Sequence, residues 1–397
     1  MTIYLIGTGC GAGTLTKEAE NAVNGSKCLI GAERLLHMFP DDWDKTAATR
    51  QQDIVAAVEA SVQKYGPEDI SILFSGDTGF YSGTRRLLPL LEKYDVRILP
   101  GISSLQLFSA RCGRPWQDWR LCSAHGTDCD AVKEVCRGRP VFFLTGGKLG
   151  PAQLCAQLRD AGLADLPVVI GQELGTENER ICCGTAGAFA DDEFAVLSVM
   201  LAEAAPRPYR RGPGLPDELF ERTQRIPMTK QYIRAAVLAS LCPEPDDVCW
   251  DVGSGTGSVA IELALQAGAV YSVEQNAEAL ELAERNRRVF GAWNLRLLQG
   301  SAPEALRDLP VPDAVFVGGS SGRLREIIMI IREKNPQARI CVSAVTVETL
   351  TASVALLNEF GYETDVTQIS VSRSRKAAGL HLMTAQNPVW LVTGESR

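Results

Sequence analysis

The sequence predicts an α/β protein built from two different domains in tandem. Three observations carry this. Strand-like apolar runs alternate with helix-like stretches through both halves. Each half opens on a glycine-rich turn after a strand, IYLIGTGCGAG at 3–13 and CWDVGSGTGS at 249–258, and the two turns do not match. Between the halves, residues 205–216 hold four prolines, two glycines and three arginines, the composition of a linker. At 397 residues the chain also exceeds what a single core usually supports. The expected division is therefore 1–204, linker 205–216, and 217–397.

In the first half, strands are expected at 3–7, 28–32, 69–77, 96–104, 140–147 and 167–174, with helices over 17–24 and 83–92. In the second, a helix is expected over 229–241 and a strand over 247–253. The next helix, from Ser258, is expected to end on a left-handed Gly268. Strand 269–276, a helix through Gly291, and strands 295–303, 313–320 and 338–345 continue the alternation. The segment from Thr364 onward reads as two strands around a loop.

Bulk properties exclude some function classes. No apolar run reaches the roughly 18 residues of a membrane helix. No basic stretch followed by a long apolar one marks a secretory signal, so a cytoplasmic protein is expected. A net charge of −8 is the wrong sign for a general nucleic-acid binder. Twelve cysteines include no C-x-x-C pair. Cys122, Cys129 and Cys136 recur every seven residues around His125, but no known zinc spacing fits, so no metal site is expected.

The second loop is informative. Gly253, Gly255 and Gly257 alternate with Ser254 and Thr256 after a strand, so the backbone can turn sharply and approach a ligand. A dinucleotide fingerprint would place its third glycine one residue later, and Asp251 ahead of the loop would repel a pyrophosphate. A ligand with a positive sulfonium suits the loop better. Glu274, followed by Gln275 at the next strand end, is placed to take both hydroxyls of an adenosine ribose. Gly300, Ser301 and Ala302, at a third strand end, are placed to flank the adenine. This set resembles the class I methyltransferases, a Rossmann-like fold that binds S-adenosylmethionine.

In the first half, Gly9 and Gly11 lie in the opening turn. FSGDTGFYSG supplies Gly76, Asp77, Gly79 and Tyr81, and LPGISS supplies Ser103 and Ser104. With FFLTGG, these resemble the tetrapyrrole methylases, the two-lobed class III methyltransferase fold, over about residues 1–200. That family's usual loop is G-x-G-P-G. Cys10 and Ala12 depart from it. The resemblance implies a second S-adenosylmethionine site at the 76–81 and 103–104 turns, with Gly9 and Gly11 bordering the tetrapyrrole.

Further stretches of the second half, RIPMTKQYIRAAVLASL, VFVGGSSGRLREI, SAVTVETL and LMTAQNPVWLVTG, resemble the decarboxylating precorrin methyltransferases of cobalamin biosynthesis. The resemblance implies methylation of a corrin precursor at meso carbons 5 and 15, with loss of carbon dioxide from the ring C acetate. The first domain would methylate carbon 5, and the second would methylate carbon 15 and decarboxylate. It also implies a dimer or tetramer. Such chemistry needs positioning more than a strong base, which suits a chain with three histidines and no triad-like cluster.

A substrate rich in carboxylates calls for cations, and Arg373, Arg375, Lys376 and His381 gather near the end; they either contact substrate or decorate a hairpin tip. Gly319 and Ser320 follow the strand where class I enzymes place the reacting methyl. Thr229 and Lys230 either cap a helix or cover the site. Asp77 either orients the cofactor or holds a turn. The rival readings are an S-adenosylmethionine-dependent RNA methyltransferase, a nicotinamide oxidoreductase, and a cofactor-sensing protein with one silent domain.

Overall fold

A computed structural model describes residues 1–207, 212–377 and 379–396. Pro208, Tyr209, Arg210 and Arg211 of the expected linker lie outside the described residues. The chain divides into two compact units. One consists of Met1–Ala131, Arg139–Asp160 and Ala164–Glu203; the other of Val132–Gly138, Ala161–Leu163 and Ala204–Arg397.

The first unit contains two five-stranded sheets. β1 (Thr2–Gly7), β2 (Cys28–Gly31), β3 (Lys45–Ala47), β4 (Ile70–Phe74) and β5 (Asp95–Leu99) form a parallel sheet in the order 3-2-4-1-5. Its central strands are apolar on both faces, as parallel strands covered by helices must be. Ile3, Leu5, Ile70 and Ile72 pack on one side and Ile6, Leu29 and Leu73 on the other. β6 (Arg120–Ser123), β7 (Val141–Leu144), β8 (Pro167–Gln172), β9 (Arg180–Thr185) and β10 (Ser198–Ala202) form a mixed sheet in the order 6-7-10-8-9. Phe108 and Trp119 pack against Phe142 of β7, with Trp119 stacked on its ring.

The second unit is built on a seven-stranded sheet in the order 13-12-11-14-15-19-16. β11 (Val248–Val252), β12 (Ala269–Glu274), β13 (Leu295–Gln299), β14 (Ala314–Val317) and β15 (Arg339–Ala344) are parallel. β16 (Tyr362–Ile369) and β19 (Val389–Ser396) complete it, and β19 runs antiparallel to both its neighbours. Trp250, Phe290 and Phe316 are fully buried in the layers on its two faces.

Three expectations need correction. The end of the chain holds four strands, not two: β17 (Ser372–Ala377) and β18 (Leu380–Ala385) pair as a separate ribbon. The helix after the second glycine loop ends at Ala264, and Gly268 has no left-handed backbone. Gly268 is needed for space instead, because a Cβ there would lie 2.9 Å from the Pro245 carbonyl oxygen. The expected helix 83–92 is one α-turn, Thr84–Leu87, followed by a 3-10 turn through Leu91, with Pro89 at the junction.

One buried ionic cluster ties the start of the second unit to its core. Arg234, on the helix Gln231–Leu241, is fully buried under the Phe220 ring. It donates to Glu262 at 2.6 Å, to Asp217 at 2.8 Å and to the carbonyls of Thr229 and Leu215. Glu262 also accepts the N–H groups of Gly214 and Leu215, at 2.6 and 3.0 Å. Arg234→Met strands two buried carboxylates. The expected loss is about 3–5 kcal/mol of stability in the second unit, read from urea unfolding of the full chain.

Candidate functional site

Each unit has a cavity where its strands end. In the first unit, β1, β4 and β5 stop at a point where backbone touches backbone. A Cβ on Gly7 would sit 2.6 Å from the Gly101 nitrogen, and one on Gly101 would sit 2.3 Å from the Gly76 carbonyl oxygen. Side chains are therefore excluded, and the turns beyond open into a cavity of about 670 Å³.

Of the expected residues, Gly9, Gly11, Gly76, Asp77, Tyr81, Ser103 and Ser104 line this cavity. Gly79 does not; its N–H donates to Asp77 Oδ1 at 2.9 Å, while Asp77 Oδ2 accepts the Gly101 N–H at 3.2 Å. Asp77 thus clamps two turns together. Ser103 caps the helix Ser104–Cys112 in a reciprocal box with Gln106. Sequence reasoning missed Arg34, Met38, His125, Thr145 and the 173–177 turn, which also line the cavity. The signal for the last was the strand PVVIGQEL, whose acid sits just past the strand end.

In the second unit, a cavity of about 280 Å³ lies at the carboxyl ends of β11, β12, β13 and β14. Open parallel sheets hold ligands at this edge. It is lined by Thr229, Gly253, Ser254, Gly255, Glu274, Gln275, Gly300, Ser301, Ala302, Gly319 and Ser320, all expected, and by Pro227 and Ser321, which were not. Gly253 has φ +75°, and a Cβ on it would lie 2.6 Å from the Gly319 carbonyl oxygen. Gly255 has φ +55°, with the Pro227 carbonyl oxygen 2.8 Å from where a Cβ would be. Glu274 spans the two turns, accepting the Gly255 and Asn276 N–H groups at 2.9 Å each. Its remaining lone pairs are available to a ligand's hydroxyls.

Other expected residues do not line either cavity. Asp251, Thr256 and Gly257 lie beneath the loop rather than on its open side. Asp251 and Thr256 are fully buried, and Gly257 starts the next helix with φ +73°. Lys230 is exposed at the helix start, with no side-chain capping bond. Arg373, Arg375, Lys376 and His381 lie on the β17–β18 ribbon. Arg373 turns to Asp217 and Glu218, at 3.9 and 3.8 Å. The cysteine pattern resolves into a close pair, with Cys122 and Cys129 sulfurs 3.3 Å apart. Among the described residues no cluster of three or more His, Cys, Asp or Glu is placed to hold a metal ion. No helix among them is long and apolar enough to cross a membrane.

The second cavity fits an adenosyl amino acid on three grounds. Its floor is cleared of side chains, a carboxylate stands at the second strand end, and Ser254 Oγ is buried on the loop without a protein partner. Two α/β units, each with a glycine-floored cavity at its strand ends, define an enzyme of the cofactor-binding α/β class.

Comparison with known proteins narrows the class. Residues 2–190 match the Tetrapyrrole (Corrin/Porphyrin) Methylases, and residues 218–394 match the Precorrin methyltransferase domain. A probable cobalt-precorrin-6B C(15)-methyltransferase (decarboxylating) of Pyrobaculum calidifontis is 44% identical over 185 residues, 46% of this chain and 95% of its own. A precorrin-6Y C(5,15)-methyltransferase [decarboxylating] of Sinorhizobium sp is 29% identical over 400 residues, 99% of this chain and 95% of its own. A solved precorrin-6Y C5,15-methyltransferase structure from Geobacter metallireducens is 35% identical, covering 48% of this chain and all of its own, with a TM-score of 0.45. The chain belongs to the decarboxylating precorrin methyltransferases.

The buried Asp251 gives a pH test. One of its oxygens accepts the Ala260 N–H at 2.9 Å; the other meets no protein donor. Burial pushes its carboxyl up to about 7, the Ala260 N–H opposes this, and the Glu274 charge adds to it. A raised acid stabilises the fold fully below its unfolded pKa, near 3.8, and that contribution disappears as pH climbs to about 7. Asp251→Asn removes the dependence. Its stability relative to the parent should rise by about 1 kcal/mol per pH unit across that window and level off above it, in urea midpoints taken from pH 4 to 8.

Proposed function

We propose that the chain carries out both methylations of precorrin-6Y, or of its cobalt counterpart, at carbons 5 and 15, and removes the ring C acetate carboxyl as carbon dioxide. The supporting observation is the pairing itself. Two separately folded units each present a glycine-floored cavity at their strand ends, in a chain that aligns over 99% of its length with a relative named for both positions. The domains run 1–204 and 217–397, and each holds one S-adenosylmethionine. The first unit acts at carbon 5; the second acts at carbon 15 and decarboxylates.

The cofactor supplies an electrophilic methyl group on a sulfonium. In the second unit, Gly253 and Gly255 let backbone approach its amino-acid end, Glu274 holds its ribose hydroxyls, and Gly300 to Ala302 border the base. Gly319 and Ser320 lie where the methyl faces substrate, beside Thr229. In the first unit, the turns held by Asp77, together with Ser103 and Ser104, seat the second cofactor, and Gly9 and Gly11 border the macrocycle. The meso carbon of the tetrapyrrole is already an enamine-type nucleophile. Holding it in line with the methyl contributes several kcal/mol or more of barrier lowering. On the ribbon, Arg375 and Lys376 are the cations, and His381 a further hydrogen-bond donor, offered to substrate carboxylates. The protein acts as a homo-oligomer, a dimer or a tetramer.

Mass spectrometry of precorrin-6Y incubated with the chain and S-adenosylmethionine should show a gain of two methyl groups and a loss of one carbon dioxide. A product with one methyl means one unit is silent, and labelled RNA shifted at physiological salt would favour the RNA reading. Calorimetry should count two adenosylhomocysteine sites per chain. Glu274→Ala should weaken one of them about 10-fold or more while leaving the other intact, since a hydrogen bond to a charged group contributes about 1.5–3 kcal/mol.

A further inference from the structure

Four residues other than glycine adopt the left-handed backbone region in the described chain: Tyr81, Glu173, Cys242 and Ser321. Cys242 ends the helix Gln231–Leu241, where such a conformation is ordinary. The other three line the two cavities. Strain of this kind costs on the order of 1–3 kcal/mol and persists where surrounding structure imposes it.

Glu173, with φ +48°, is the most tightly imposed of them. Its N–H donates to the Leu197 carbonyl at 2.8 Å, and its own carbonyl accepts the Thr176 N–H and hydroxyl at 3.0 and 2.8 Å. Its side chain is given no such task. The carboxylate that holds the turn is Glu179, which accepts the Gly175 N–H at 2.7 Å and pairs with Arg111. Asp77, also on the cavity, accepts one backbone N–H on each oxygen and so serves to clamp two turns, a task Glu173 does not have. Glu173 is half-buried and lines the cavity of the first unit, and its carboxylate has no hydrogen-bond or ion-pair partner among the described residues. A strained backbone that delivers an unengaged carboxylate into a cavity has a chemical use here, if the cavity methylates a meso carbon as proposed above.

That reaction releases a proton. The enamine electron pair of the meso carbon forms the new C–C bond as the S–CH₃ bond breaks, and the sulfur leaves as a neutral thioether. The carbon then carries both methyl and hydrogen, and conjugation returns only when the hydrogen leaves as a proton. We infer that Glu173 is the catalytic base of the first unit, taking the meso proton onto its carboxylate and passing it to water. The assignment rests on the proposed methylation at carbon 5. The turn-clamping Asp77, His125, which sets Nδ1 against the Thr145 carbonyl at 3.3 Å, and the more exposed Glu177 are the other bases on this cavity.

Two variants of the full chain test this. Glu173→Gln keeps the shape and loses the base; Glu173→Gly relieves the backbone and also loses the base. Both should fold, bind two equivalents of adenosylhomocysteine by calorimetry, and convert precorrin-6Y to a decarboxylated product carrying one methyl. Methylation in the first unit should fall by about 100-fold or more, the usual scale for losing a general base. With substrate deuterated at the meso carbon, the isotope effect on the residual reaction should exceed that of the parent. Two results overturn the assignment: two methyls added at the parental rate by Glu173→Gln, with the loss appearing in Asp77→Asn, His125→Gln or Glu177→Gln or in none of them, or loss of one adenosylhomocysteine equivalent in Glu173→Gln. If the parent itself adds no methyl, the functional reading fails and the role of Glu173 falls with it; a parent that adds two separates the outcomes.

Discussion

Each cavity rests on a place where main chain meets main chain with no side chain between. In the first unit, Gly7, Gly76 and Gly101 bring three strand ends together; in the second, Gly253 meets Gly319. A single methyl group on Gly7, Gly101 or Gly253 would fall within 2.7 Å of a backbone atom. Packed backbone cannot give way as a flexible side chain can, so the strand ends and the turns leaving them have little freedom. Asp77, Ser103 and Ser104 are mounted on those turns in one unit, and Ser254 and Ser320 in the other. Asp77 braces two of them in one unit, and Glu274 braces two in the other, each by accepting backbone N–H groups.

This explains which parts of the molecule are legible in sequence. Alternating glycines and an acid at the next strand end are local patterns, and the parallel sheet fixes where they fall in space. Gly253, Gly255 and Glu274 therefore line one cavity as their spacing implies. Facing is less legible than position. Asp251 and Thr256 belong to the same run, yet a strand alternates its side chains and the loop has an underside, so both point into the core. Glu173 was visible only as the end of a strand. Its significance depends on Thr176, Leu197 and a left-handed backbone, none of which leaves a spacing signature.

Long-range charge pairing is the least legible feature. Arg234 looks like an ordinary polar residue of an amphipathic helix, and Glu262 like one exposed position in an apolar run. The fold buries both and gives them Asp217 and the backbone of 214–215 as partners. Burying charge is costly unless every hydrogen-bonding site is met, and here the cluster spends that cost on placement. It holds the segment that carries Pro227 and Thr229 against the glycine loop, where the Pro227 carbonyl leaves room for nothing larger than hydrogen on Gly255.

The cavities also differ in size, about 670 Å³ against about 280 Å³. The smaller is a slot for one nucleoside, and a flat four-ring pigment has no room within it. On the function proposed above, the macrocycle would lie across the rim of this cavity rather than inside it. On that same function, a pigment resting there would cover the smaller cavity, and spent cofactor would have to wait for that cover to lift.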